Sequence, residues 1–434
     1  MSGEPRTGAT VRIEGLTGLS IEEASRRMRD MAMKRNGSEL VPISEALGRV
    51  TSGDVTAGRD VPAWPKSAMD GYAVRAADLA GASKDSPVTL TVIGEADAGD
   101  FWTDDMADDS RMPTAADVDA DADRSGTALR IMTGAVIPSG FDAVVRQEDT
   151  DYGETEVNVF TSVKPGINVC PVGEECSHGD LLIKSGTEIG RVEIGKLASA
   201  GESDVWVVNR PRVAILSTGS ELDRPEDVLA PGHVYGSLSY MLSASVASYG
   251  CVTVFDECVP DDPGRIRDRL MEAVEAADVV LTTGGVSVGK KDFMHEVLNE
   301  LDAEMYFYAV DVQPGTPTIG CCIDDVPVLC LSGNPYAALA NFDMYFPQIA
   351  FALTGCESYL PTVVTAVLDD PYDKTSVHRR LLRAREAGGH VRLVASGHKS
   401  SVFGNMSECN CYVDVPGNAH ISVGDEVRII RVRN

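Results

Sequence analysis

Long apolar runs are missing from this chain; none approaches the ~20 residues that cross a bilayer. The opening stretch, MSGEPRTGATVRIEG, has no apolar core of signal-peptide length. A soluble, cytoplasmic protein is the expectation. No CxxC pair occurs among the ten cysteines, so their spacing suggests no zinc site. Cys321 and Cys322 are adjacent, Cys330 lies in an apolar stretch, Cys409 and Cys411 flank Asn410, and Cys170 and Cys176 stand further apart. They read as reduced core thiols. His178, His378 and His398 are scattered in turn-like sequence and form no metal triad. Lysine is sparse and the net charge is −28, which argues against nucleic acid or an anionic membrane as partner. Such a surface fits a protein living in high salt, where screening suppresses self-repulsion; an ordinary acidic surface is the alternative.

What the chain does have is enough apolar residue for sizeable cores. Hydrophobic residues are 43% of 434, and that length has room for roughly three domains. Ser20 and Glu23 form a capping box before a stripe of Ile21, Ala24, Met28 and Met31, which predicts a helix over 20–35. Ser44 is a candidate opener of a second, short helix. Residues 60–96 turn to strand-like segments such as VTLTVIG (88–94). Residues 97–126, rich in Asp and Ala, read as a solvated, mobile loop. Short strands resume over 127–160, and 187–201 reads as helix closing at Gly201. From Arg212 the pattern becomes strand–helix alternation. Strands are expected at 212–219, 251–259, 278–285, in EMYFYAVDV and in VPVLCL, and helices at 237–249, from Asp262-Pro263 to about Ala277, and from Asn334-Pro335 to about Thr354. This alternation implies a mostly parallel sheet covered on both faces. Residues 358–434 are strand-rich and suggest a small β-domain.

In a doubly wound sheet, ligands bind at the carboxyl ends of the strands. Those ends carry STGSE (217–221), DDP (261–263), TGGVSVGKKD (283–292), QPGTP (313–317) and SGNP (332–335). Gly284 and Gly285 let the backbone turn sharply after a buried strand, with Thr282, Thr283 and Ser287 beside the exposed amides. Amides in such a loop can hold phosphate. Three ends bring carboxylates, Glu221, Asp262 and Asp292, and clustered carboxylates are costly unless protonated or bound to a cation. Magnesium relieves that cost using one or two of them with phosphate oxygens and water. Taken singly, Asp262 also reads as a helix cap and Glu221 as a solvated turn residue.

The segments SAMDGYAV (67–74), RIMTGAVIPSGFDAVVRQED (130–149), STGSEL, DDP, TTGGVSVGKKD, QPGTP and LSGNP occur in one order, and together they resemble the MoeA/gephyrin family of molybdopterin molybdenumtransferases from about residue 16 to the end. The resemblance implies an α/β multidomain protein. Its parts are a discontinuous N-terminal region (16–59 and 161–209), a β-rich insertion (60–160), a doubly wound α/β molybdopterin-binding domain (210–356) and a C-terminal β-barrel-like domain (357–434). It implies an enzyme that, with Mg2+, takes adenylylated molybdopterin and molybdate and releases molybdenum cofactor and AMP. It further implies a homodimer whose active sites combine two subunits. On that pattern Asp70 and Thr133 of one subunit face Glu221, Asp262 and Asp292 of the other as the catalytic set, with Asp262 and Asp292 on the metal. Thr218, Gly219, Thr283, Gly284, Gly285, Ser287, Pro314, Gly315, Pro317, Gly333 and Asn334 are the expected cofactor-binding residues. The pterin supplies soft sulfur to the metal, so cysteine ligands are not required of the protein.

The chain departs from the family in its anion-binding loops. The family's KPGKP turn reads Gln313-Pro314-Gly315-Thr316-Pro317, with both lysines gone. Val-Ser after the later Asn-Pro is replaced by Tyr336-Ala337. A dianion wants cations and donors. Lys290 and Lys291, in the neighbouring loop, are candidates to supply them, and are otherwise exposed charges countering an acidic surface. Arg379, Arg380 and Arg383 of the last domain are further candidates. Trp64 and Tyr72, flanking SAMDG, read as packing residues rather than stacking platforms for a pterin. Competing readings are a diverged paralogue using another oxyanion such as tungstate, a non-catalytic carrier or scaffold, and a nucleotide-processing hydrolase on the same α/β domain.

Overall fold

Along the strand Arg212–Thr218, Val213 and Ile215 enter one hydrophobic core while Ala214 and Leu216 enter another. A strand apolar on both faces must be covered on both. In the computed structural model, which describes residues 15–32, 37–100, 102, 123–286, 293–395 and 397–433, that cover is complete. Helices Ile21–Met31, Leu238–Ser248 and Pro335–Thr354 share the core of Val213 and Ile215. Helices Pro263–Ala276 and Met294–Glu300 share that of Ala214 and Leu216.

The sheet runs Val252–Val259, Arg212–Thr218, Val279–Thr283, Val326–Leu331, Ile319–Ile323, Glu304–Tyr308. The first four strands are parallel, and the last two are antiparallel additions. Ile319–Ile323 is a strand that sequence periodicity missed. It forms a hairpin with the next strand through Asp324 and Asp325, both at positive φ (49° and 61°), the backbone that a two-residue hairpin loop needs.

Contacts divide the chain into two units. The first holds residues 1–53, 184–191 and 204–434, and so includes the central sheet and the C-terminal strands. Strand Arg379–Ala387 pairs with His390–Leu393 and with Cys411–Val415. Thr362–Leu368 joins His390–Leu393 to Glu426–Arg431, which pairs back to Cys411–Val415. The ring closes as a small five-stranded barrel, with Val312–Gln313 added alongside Arg379–Arg380. The second unit holds residues 54–183 and 192–203. Its five-stranded sheet runs Ala143–Arg146, Gly71–Val74, Thr127–Ile131, Val88–Ala96, Glu156–Val159.

Local signals fared well. Ser20 caps Ile21–Met31 by accepting from Glu23 N at 3.2 Å, and the buried residues are the four of the expected stripe. That helix ends at Met31 because Ala32 leaves helical backbone (ψ 97°); residues 33–36 lie outside the described set, as do 101 and 103–122 of the expected loop. The helix expected from 187 starts at Arg191, since Glu188 pairs in extended form with Val50. Ser44 lies inside a short 3₁₀ turn, Ile43–Glu45, and does not cap it. None of the ten cysteines is in a disulfide, and eight of them are buried. No helix among the described residues is long and apolar enough to cross a membrane.

Candidate active site

The strand ends of the first unit meet at backbone level. A Cβ on Gly284 would stand 2.5 Å from the Thr218 carbonyl oxygen, and one on Gly333 would stand 3.5 Å from the Gly284 Cα. Gly284 and Gly285 both have positive φ (86° and 67°), so glycine is required there for conformation as well as space. Gly284 N donates to the Leu331 carbonyl (3.0 Å), and Gly285 O accepts from Met294 N (3.2 Å). The turns at 218–219, 284–285 and 333 therefore form one continuous surface.

Hydroxyls beneath this surface are spent inside the sheet. Thr218 Oγ1 donates to the Thr283 carbonyl (3.1 Å), and Thr283 Oγ1 donates to Ser217 Oγ (3.2 Å). Both threonines are buried, so what positions 218 and 283 offer a ligand is backbone. Asn334 likewise turns its side chain inward, accepting from Ala337 N at 3.2 Å as the cap of Pro335–Thr354. Pro314 follows a cis peptide bond, and Gly315 has φ 97°. The Gly315 carbonyl accepts from Asn341 Nδ2 (2.7 Å) and from Thr318 Oγ1 (2.8 Å). Asn341 is fully buried, and sequence reasoning missed it, since one polar residue on an apolar helix carries no periodic signal. Thr316 Oγ1 donates to the Val312 carbonyl (2.7 Å), leading into the turn that ends at Pro317.

Glu221 and Asp262 are exposed. Asp262 Oδ1 accepts from Arg265 N at 2.8 Å, capping Pro263–Ala276; Oδ2 has no partner among the described residues. Asp261 is a second residue that sequence reasoning passed over. Its N–H donates to Ser220 Oγ (3.1 Å) and Oδ2 accepts from Ser220 N (3.5 Å), tying the 217–221 turn to the DDP turn. Ser287, Lys290, Lys291 and Asp292 lie outside the described residues. Among the described residues no three His, Cys, Asp or Glu are grouped to hold a metal.

The three arginines of the barrel have separate fates. Arg379 is bound by Asp414 (Nε to Oδ1, 2.6 Å) and Glu22 (Nη1 to Oε2, 2.7 Å), and Glu22 is held down to about 2 by that partner. Arg383 is fully buried. Its guanidinium donates to the carbonyls of Gly397 and Lys399 (3.1 Å each), to the Val402 carbonyl and to Asn405 Oδ1, and it lies 3.9 Å from the centre of the Tyr336 ring. This corrects the expectation of an oxyanion ligand at Arg383: its planar fork serves loop carbonyls instead. Arg380 has no carboxylate among the described residues and rests against Tyr372 (5.6 Å). His398 is pushed down to about 4, by burial and then by Arg383, Arg380 and Lys374. These cations form a positive group without a counter-acid among the described residues.

In the second unit, Asp70 and Thr133 are in contact. Thr133 donates to Asp70 Oδ1 from both its N–H and its hydroxyl, each at 2.7 Å. These bonds hold the Asp70 carboxyl below the ordinary carboxylate range, and Oδ2 has no partner among the described residues. Gly71 is obligatory, for a Cβ would lie 1.9 Å from the Val145 carbonyl oxygen. Tyr72 is buried, with its hydroxyl donated to the Gly153 carbonyl (3.0 Å), and it packs rather than stacks on a ligand.

Glycine turns and carboxylates at the ends of a parallel sheet, with a small β-barrel following, define a multidomain α/β protein with its candidate ligand site at the strand ends. Sequence models narrow the class. Residues 19–201 match the MoeA N-terminal region (domain I and II), 214–350 a probable molybdopterin binding domain, and 365–432 the MoeA C-terminal region (domain IV). The chain is 31% identical over 424 residues to the molybdopterin molybdenumtransferase of Staphylococcus epidermidis, covering 96% of each. It is 31% identical over 429 residues to that of Bacillus subtilis, covering 97% of this chain and 96% of the relative. A crystal structure of the Pyrococcus horikoshii molybdopterin biosynthesis MoeA protein superposes with a TM-score of 0.77 at 29% identity, over 96% of this chain and all of that one. The chain belongs to the MoeA family of molybdopterin molybdenumtransferases and is a transferase of molybdenum cofactor biosynthesis.

Proposed function

We propose that this enzyme inserts molybdate into adenylylated molybdopterin, with cleavage of the phosphate anhydride by water and release of AMP. The observation that carries this reading is the contact of the Thr218, Gly284 and Gly333 turns, which lines backbone up at the strand ends where a phosphate chain can bind. In this reading the amides of Gly285, Ser287 and Gly333 hold the phosphates, with Gly219 and Gly284, whose own N–H groups bond the Val259 and Leu331 carbonyls, shaping the turns, while the Pro314-Gly315 turn bounds the pterin side. The free Oδ2 of Asp262 suits a hard cation, and Asp262 with Asp292 would hold magnesium through oxygen. Bound there, Mg2+ would offset charge at the anhydride. Glu221 and Asp292 orient the water. In a homodimer the partner subunit's Asp70, already ionised by Thr133, completes the acid set.

Lys290, Lys291 and the barrel cations Arg380 and Lys374 take the place of the two absent KPGKP lysines in drawing the oxyanion. Those losses at Gln313 and Thr316 support a second reading, a paralogue that prefers tungstate. Purified protein with adenylylated molybdopterin, Mg2+ and either oxyanion decides between them by AMP release. Molybdate-dependent release supports the first reading, release with tungstate alone supports the second, and tight binding without release defeats both in favour of a carrier. A Lys290→Ala, Lys291→Ala double variant with unchanged molybdate dependence removes those lysines from the account.

A further inference from the structure

Tyr336 stands two residues beyond Asn334 and is almost wholly buried (1% exposed). Its hydroxyl donates to the Leu381 carbonyl of the barrel at 2.6 Å. Its ring faces the Arg383 guanidinium at 3.9 Å. That guanidinium in turn gathers Gly397, Lys399, Val402 and Asn405. The segment so gathered carries His398 and Lys399, and Arg380 lies on the same strand as Arg383. One side chain thus fastens the SGNP turn, through a desolvated cation–π contact and one hydrogen bond, to the stretch of barrel that bears positive charge.

We propose that Tyr336 is a positioning residue: through Arg383 it fixes the 397–405 segment, and with it the barrel cations, in register with the SGNP turn, and so sets the affinity for the oxyanion. The proposal rests on the reading of the substrate as a tetrahedral oxyanion. It assigns Tyr336 no contact with substrate. It also accounts for the charge-bearing arginine being buried, because Arg383 acts by shaping a loop.

The test uses the full-length protein and three variants, Tyr336→Phe, Tyr336→Val and Arg383→Lys. Phenylalanine keeps the ring and loses only the bond to Leu381; valine loses ring and hydroxyl. Lysine at 383 keeps the charge and loses the planar fork. For Tyr336→Val the expected result is a KM for molybdate raised about tenfold with kcat within about threefold, as loss of one desolvated cation–π contact implies. Tyr336→Phe stays close to wild type, Arg383→Lys reproduces the valine phenotype, and the double variant Tyr336→Val, Arg383→Lys is no worse than either. Amide exchange of residues 397–405 speeds up in Tyr336→Val while the barrel strands keep their protection. Unchanged exchange at 397–405, or a fall in kcat at constant KM, overturns the proposal. If the wild type shows no molybdate-dependent AMP release, the reading of the reaction fails; calorimetric binding of molybdate to the same variants, with the exchange data, still decides the role of Tyr336.

Discussion

Asp262 has a structural task and a chemical one, and two substitutions separate them. Asparagine caps a helix about as well as aspartate, whereas alanine costs about 1 kcal/mol. Asp262→Asn is therefore expected to melt like the wild type and to lose most AMP release, while Asp262→Ala loses both; full activity in Asp262→Asn would reduce the residue to a cap. Asp343 offers a pH signature. By area it is only half-buried, but the surface it shows faces a cavity of about 260 Å³ lined with Leu339, Met406 and Tyr412. Burial pushes it up to about 7, with the Tyr412 hydroxyl donated to Oδ2 at 2.7 Å pulling the other way. The folded value lies above the unfolded one, so its contribution is full below about 4 and is lost as pH rises through about 7. Asp343→Asn, which keeps the acceptor for Tyr412, is expected to abolish that loss in melting curves taken between about pH 4 and 8; parallel curves would contradict it. At this scale the sequence is most readable where function needs an odd residue. The SAMDG and RIMTGA segments singled out Asp70 and Thr133 through their resemblance to a family, but not that the two touch. Arg383 was misread because nothing in local composition distinguishes a buried arginine serving carbonyls from one facing a ligand.

Helix Ile21–Met31 reaches the barrel through Glu22, which meets Arg379 and Arg428, both also bound to Asp414. Glu22 is held down to about 2 against an ordinary 4.5, so this link is present above about 4.5 and is lost as pH falls toward 2. The Glu22 side chain is half exposed (51%), and screening limits the stabilisation to about 1 kcal/mol. Glu22→Gln is expected to lower the unfolding free energy from denaturant titration by that amount at neutral pH and by much less near pH 2; an equal loss at both would refute the ionic origin. Elements set by their own neighbours were legible: the caps at Ser20, Asp262 and Asn334, and the strands apolar on both faces. The hairpin at Asp324-Asp325 was not, because its turn has no glycine and its first strand, IGCCI, alternates nothing. Closure of the barrel was illegible for a different reason: Arg379–Ala387 pairs with a strand some thirty residues on, and no local pattern encodes a partner.

At the scale of the whole molecule, 66 acidic residues against 38 basic ones give the charge of −28. Such self-repulsion weakens as the screening length falls from about 10 Å at 0.1 M salt to about 3 Å at 1 M. The melting temperature is accordingly expected to climb steadily with KCl over that range, and a flat or falling curve would show that the acidic surface carries no such burden. Against that imbalance, Arg380 and Lys374 both lie close enough to His398 to hold its pKa down, and the proposed oxyanion role draws on that pair. The account as a whole depends on strand-end carboxylates sharing a divalent ion with a phosphate anhydride. The most direct test is the Mg2+ dependence of molybdate-driven AMP release in wild type and Asp292→Asn. A requirement for Mg2+ that shifts at least about tenfold upward in the variant, with the fold intact, is the predicted result. Release that ignores Mg2+, or identical Mg2+ curves for the two proteins, would contradict it.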